Sequence, residues 1–180
     1  MTTRVYVRRP KPSRTRTRVM AAVRELLEEG SFHESTVEEV AARAGVSRAS
    51  LYQHFASRLE LVDAICETFT GNEALQAAKS ARTLDELIEA TVEFWESEER
   101  LLVQLYGAAA VDPAAKAFVE RQQRDRYGVI TRVFGKDALP LLSVLTSFQT
   151  YLELRRHNRL SKREVTRSLQ EAAGKLFPAR

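Results

Sequence analysis

The sequence predicts an all-α protein of about nine helices. Three observations carry that prediction. Apolar residues recur three and four apart along most of the 180 residues, and no segment keeps up a two-residue alternation. Helix-start signals are frequent, with capping boxes readable at Thr36/Glu39, Thr83/Glu86 and Ser161/Glu164. Glycine and proline are scarce, with seven and five copies, and most fall between the periodic stretches. With 44% apolar and 29% charged residues, the chain has material for a sizeable core.

The elements follow in order. Residues 1–12, with Pro10 and Pro12, read as a flexible basic arm. Ser13 caps a first helix reaching about Glu29, its stripe formed by Val19, Ala22, Val23, Leu26 and Leu27, and Gly30 ends it. Thr36 to Phe55 reads as two short helices joined by a tight turn. Thr36 caps the first, Gly45 ends it in the left-handed conformation, Ser47 caps the second, and Leu51 and Phe55 pin that helix to the core. Phe32, Val40, Leu51 and Phe55 are expected to close this core with the first helix. A fourth helix runs from Ser57 to about Phe69, and Gly71-Asn72 could end or loosen it before Glu73–Lys79. Further helices start at Thr83, at Leu101 and at Asp112-Pro113, the last reaching about Phe134. Asp137 to His157 reads as one uninterrupted helix, with Pro140 tolerated in its first turn. Ser161 to about Lys175 forms the last.

Composition excludes several function classes. No run of about 18 apolar residues predicts a membrane span, and the basic N-terminus lacks a signal peptide's apolar stretch. Cys66 is the single cysteine, so no intrachain disulfide can form; a packed thiol in a reducing cytoplasm is the expectation. The three histidines, His33, His54 and His157, show no metal or triad spacing, and no phosphate-cradling glycine loop is present. The acidic cluster Glu93, Glu96, Glu98 and Glu99 reads as a solvated face. No catalytic residue, metal or cofactor is therefore expected.

The charge distribution points the other way. Residues 1–18 hold seven basic side chains and no acid, which leaves −3 on the remaining 162 residues of a net +4. Such asymmetry suits a polyanion. Beside it, Arg48, Ala49, Ser50, Tyr52, Gln53 and His54 lie mostly off the core face of the second motif helix. Small and hydrogen-bonding side chains at the start of a helix suit a DNA major groove.

Thr36 to Leu61 resembles the DNA-binding domain of the TetR family of bacterial transcriptional regulators. The matching runs are Thr-Val-x-x-Val-Ala from Thr36, Ala-Gly-Val-Ser at 44–47, Leu-Tyr-x-His-Phe at 51–55 and Ser-Arg-x-x-Leu at 57–61. With the first helix, the resemblance covers about residues 14–65. It implies that Ser47, Tyr52 and His54, and Thr36 through its helix start, touch the DNA backbone. It puts Arg48, Ala49 and Ser50 at base-reading positions, and Arg58, where the family usually has lysine, among the expected DNA contacts together with Gln53. Ala49 replaces a frequent glycine, and its methyl could touch a thymine methyl. Leu59 replaces a frequent acid, which leaves open what cap that acid would have made.

The domains are thus expected as an arm at 1–12, a helix-turn-helix domain at 13–58 and a helical effector-binding and dimerisation domain at 59–180. The last two helices are apolar on more than one face, which predicts a homodimer through Leu145, Phe148, Leu152, Val165 and Leu169. Phe94, Trp95, Tyr106, Phe118, Gln122, Tyr127 and Phe148 are candidate pocket residues, with Gln104 and Gln123 as further polar groups. The leading expectation is a cytoplasmic dimeric repressor on a palindromic double-stranded operator, released by an apolar small-molecule effector. The alternative is a DNA-binding regulator or architectural protein with no such inducer, controlled by a protein partner or by abundance.

Overall fold

A computed structural model of the protein describes residues 13–32, 34–69 and 71–177, without the side chains at 66–68. The basic arm, His33 and the packing of Cys66 lie outside the described residues. Among the described residues the chain is all-helical. The helices are α1 (Arg14–Glu29), α2 (Val37–Arg43), α3 (Arg48–Tyr52), α4 (Arg58–Phe69), α5 (Glu73–Ser80) and α6 (Leu84–Ser97). They continue with α7 (Glu99–Ala108), α8 (Pro113–Phe134), α9 (Leu139–Leu145), α10 (Phe148–Leu152) and α11 (Lys162–Leu176).

Helix starts follow the local chemistry. The Ser13 hydroxyl accepts from the Arg16 amide at 3.1 Å, and all three capping boxes form at Thr36, Thr83 and Ser161. Asn72 caps α5 by accepting from the Leu75 amide, so Gly71-Asn72 separates two helices. Asp112 caps α8, taking the amides of Ala114 and Ala115 at 2.8 and 3.1 Å. Gly30 and Gly45 end α1 and the turn after α2 at φ +78° and +61°, where a side chain would be strained.

The single helix expected from Asp137 to His157 does not form. α9 stops at Leu145, α10 begins after Ser147, and Glu153–His157 winds on as a π-helical turn. The cause is local competition by hydroxyls. Thr146 Oγ1 donates back to the Leu142 carbonyl at 2.7 Å, while the Ser147 hydroxyl, on extended backbone, accepts from the Thr150 amide at 3.0 Å as a new N-cap. The carbonyl of Thr146 is taken instead by the Trp95 indole N–H at 3.3 Å.

One continuous core runs from α1 to α11 without a seam at residue 58. Phe32, Val40, Leu51 and Phe55 are buried in it with the α1 stripe. An aromatic chain extends it: Phe69 meets Phe94 edge-on at 5.6 Å, Phe94 meets Trp95, and Phe148 touches Trp95, Tyr106 and Tyr151. A smaller cluster of Leu87, Val129, Ile130 and Leu142 closes the far end.

This packing corrects two expectations. Phe148, Val165 and Leu169, expected at a dimer interface, are buried within their own chain, and Leu145 and Leu152 are only partly exposed and pack against the same core. The outward apolar residues of these helices are Leu141, Val144 and Leu176. Nor is the acidic cluster a solvated face. Glu93 pairs with Lys162, Glu96 with Arg155, Glu98 with Arg24 and Glu99 with Arg156, which straps α6 and α7 to α1, α11 and the π turn.

Candidate functional site

α3 is only five residues long and is held by its surroundings. The Ser47 hydroxyl accepts from the Ser50 amide at 3.1 Å, and Leu51 and Phe55 are buried. Arg18 donates to the Gly45 carbonyl at 2.9 Å, bracing the turn, and Arg16 donates to the His54 carbonyl at 3.4 Å with its guanidinium over the Phe55 ring. Two basic residues counted as polyanion attractors thus also tie α1 to the motif.

Thr36, Ser47, Arg48, Ala49, Tyr52 and Gln53 are exposed on one surface around α3, and Ser50 and His54 are half-buried beside them. His54 shares a 3.3 Å hydrogen bond with Ser13. Arg48 rests against Glu38 at 2.5 Å, with both side chains more than half exposed, and lies 5.5 Å from the Tyr52 ring. An ion pair so exposed contributes little, so the guanidinium can exchange Glu38 for another anion.

Arg58 stands elsewhere than expected. Its Nε donates to Asp112 at 2.7 Å, one Nη donates to the Ser35 carbonyl at 2.8 Å and the other to the Phe32 carbonyl, and its plane covers the Phe32 ring at 3.9 Å. The side chain is committed to the junction between the motif and α8. Burial alone would raise the Asp112 carboxyl's pKa, but the Arg58 hydrogen bond and the Ala115 and Ala114 amides outweigh it and hold the group below its ordinary value. A second pair, Arg121 with Asp63, links α8 to α4 farther along. The acid absent at Leu59 is supplied one residue later: Glu60 accepts from the Ala56 amide at 2.8 Å, and the Ser57 hydroxyl accepts from the Glu60 amide.

A cavity of about 50 Å³ lies between α5, α6, α7 and α8. Phe94, Trp95, Tyr106, Gln122 and Gln123 line it, joined by Leu75, Leu87, Thr91, Arg126 and Val129. Phe118, Tyr127 and Phe148 do not line it. Phe118 packs on Phe69, Phe148 fills the aromatic chain, and the Tyr127 ring lies 5.5 Å from the Arg126 guanidinium. Gln104 lines a separate crevice beside Gly30. The sequence hides Arg126 because it sits in Arg-Gln-Gln-Arg-Asp-Arg, a run that reads as a solvated face.

An α-helical reader capped at its start, braced by a preceding helix and joined to a second helical domain defines a helix-turn-helix DNA-binding protein. Residues 19–65 match the family model of bacterial regulatory proteins, tetR family. Residues 19–65 are therefore a DNA-binding domain of the TetR type, and the similarity to curated relatives lies in this part of the chain. It is 35% identical over 68 residues to the HTH-type transcriptional activator FasR of Mycolicibacterium smegmatis, covering 38% of this chain and 31% of that protein. The chain therefore matches less than a third of the length of such curated relatives. Its fold matches GusR of Salmonella enterica with a TM-score of 0.73 at 18% identity, over 94% of this chain and 98% of that one. It also matches NalD, the secondary repressor of the MexAB-OprM multidrug efflux pump in Pseudomonas aeruginosa, with a TM-score of 0.65 at 20% identity, over 88% and 93%. No described helix is long and apolar enough to cross a membrane.

Proposed function

We propose that the protein is a homodimeric repressor that binds a two-fold DNA operator through α3 and leaves it when a small molecule enters the cavity between α5, α6, α7 and α8. Arg48, Ala49 and Ser50 read bases; Thr36, Ser47, Tyr52, Gln53 and His54 hold the backbone. The observation that carries this reading is the continuity of α8. One helix runs from Asp112, clasped to Arg58 at the motif, to Arg126 and Val129 at the cavity. That span is about 21 Å at 1.5 Å per residue. Two readers must sit roughly 34–36 Å apart to meet successive half-sites. A ligand that favours a different position of α8 shifts the population away from that spacing, by no more than its difference in affinity for the two states.

Dimerisation is assigned to the outward face of α9 and α11, where Leu141, Val144 and Leu176 are exposed. The direction of regulation follows the fold neighbour named as a repressor, although the curated relative is named as an activator. The test is binding to short palindromic duplexes at moderate salt, then release by compounds that raise the melting temperature. A protein without sequence preference sinks the reading. Deleting residues 1–12 removes four basic side chains, Arg4, Arg8, Arg9 and Lys11. It should weaken binding to every sequence alike and flatten the salt dependence by about one unit per lost phosphate contact. The small cavity favours one second reading, a regulator with no small-molecule inducer; that reading predicts no compound-induced thermal shift.

A further inference from the structure

The cavity contains a charge that no carboxylate among the described residues pairs with. Arg126 lies on its wall, and burial pulls the guanidinium's pKa below its ordinary value. Its Nη1 donates to the Ser143 carbonyl at 3.0 Å and to Thr146 Oγ1 at 3.2 Å, and its other neighbours are the Tyr106 and Tyr127 phenols. All of these are neutral. Among the described residues no carboxylate pairs with it, whereas the arginines at 24, 43, 48, 58, 121, 155 and 156 each meet one. Asp125, also on the lining, is exposed and marks the mouth. Lys79 is the one other cation of the wall. A desolvated cation without a counter-charge is costly, and an arriving anion recovers that cost.

The rest of the wall is mainly apolar and aromatic, from Leu75, Leu87, Phe94, Trp95 and Val129, with Thr91, Gln122 and Gln123 as its uncharged polar groups. We infer that the cavity selects an anion: a compact apolar molecule bearing one carboxylate, with the charge held by the Arg126 guanidinium and the body among Phe94, Trp95 and Val129. This rests on the proposed ligand site and names the class of ligand it takes. Arginine presents a planar fork that fits a carboxylate with two parallel hydrogen bonds, which neither an amide nor an ammonium reproduces. The cavity admits only a small body until a wall moves. α5 is the wall suited to move, since no residue of it is fully buried.

Trp95 is the only tryptophan, so its fluorescence reports occupancy directly. The experiment titrates the full-length protein with benzoate, benzamide and benzylammonium, and with hexanoate, hexanamide and hexylammonium. Trp95 emission and melting temperature are read for wild type, Arg126→Met, Arg126→Lys and Lys79→Met. The expected result is that at least one carboxylate binds wild type about tenfold or more tighter than its amide. That preference should vanish in Arg126→Met, return in part in Arg126→Lys, and persist in Lys79→Met. The wild-type comparison stands even if Arg126→Met folds poorly. Amides or ammonium ions binding wild type as tightly as the carboxylates would overturn the anion selection while leaving the ligand site intact. A carboxylate preference that survives in Arg126→Met, or disappears in Lys79→Met alone, also overturns it. If none of the six compounds moves Trp95 emission or melting temperature, the ligand site fails and the inference fails with it.

Discussion

Asp112 meets three demands with one carboxylate. It caps α8 through the Ala114 and Ala115 amides, it receives Arg58 Nε at 2.7 Å, and it is buried. Its pKa is held down in the folded chain, so the unfolded chain takes up the proton first as pH falls. The stabilisation is therefore fully present above the carboxyl's ordinary value of 3.8 and is lost as pH drops through the lower, folded value. Asp112→Asn keeps a capping side chain and removes the charge. It should cost about 1.5–2 kcal/mol near neutral pH, the lower part of the range for charged hydrogen bonds. The difference in melting temperature between the two proteins should shrink as pH falls below 3.8; a difference that stays constant would show that the charge is not involved. The cap was legible, because Asp-Pro at a helix start is a local signal. The clasp was not, because its partner lies 54 residues away and Arg58 reads equally well as a DNA contact.

At the scale of elements, α3 is a helix too short to stand alone, since an isolated helix of five residues cannot repay its nucleation. It exists because Ser47 caps it, Leu51 and Phe55 anchor it, and Arg16 and Arg18 brace its two ends. Ser47→Ala should lower stability by about 1 kcal/mol. It should also weaken all operators alike, by losing both the cap and the proposed contact to the DNA backbone. Arg48→Ala should leave the melting temperature nearly unchanged, because its pair with Glu38 is exposed, and should change which bases are preferred. Chemical denaturation and binding-site selection separate the two. Caps and breaks made most helix starts readable: Thr36, Ser47, Thr83, Asp112 and Ser161 all cap as their neighbours dictate. The break at Thr146-Ser147 is not legible in the sequence because hydroxyl residues are compatible with helix interiors. Only the competing bonds to Leu142 and Thr150, and the Trp95 indole drawn to the Thr146 carbonyl, decide against continuity.

Across the whole molecule, sequence periodicity identifies which helices carry surplus apolar surface but not which residue faces outward. α11 shows why. Val165, Leu169 and Ala173 form a regular stripe, and all three are consumed by the chain's own core. Their spacing is what any single buried face produces. The surplus lies one register away, on Leu141 and Val144 of α9, three apart on one face, and on Leu176 at the end of α11, a helix that packs against α9. A dimer built on that face predicts a sharp separation of effects. Leu141→Asp with Val144→Asp alters side chains already about half exposed, so the monomer's fold and helicity should survive. Affinity for a two-fold operator should fall by much more than the half-site affinity, because the second half-site is then no longer bound intramolecularly. Val165→Asp, by contrast, buries an unpaired charge in the core and should unfold the chain. Sedimentation gives the mass, circular dichroism the fold, and titration of full and half operators the coupling. A Leu141/Val144 variant that remains dimeric with full operator affinity would place the interface elsewhere. The spacing of the two readers would then have to be set by a surface other than α9 and α11.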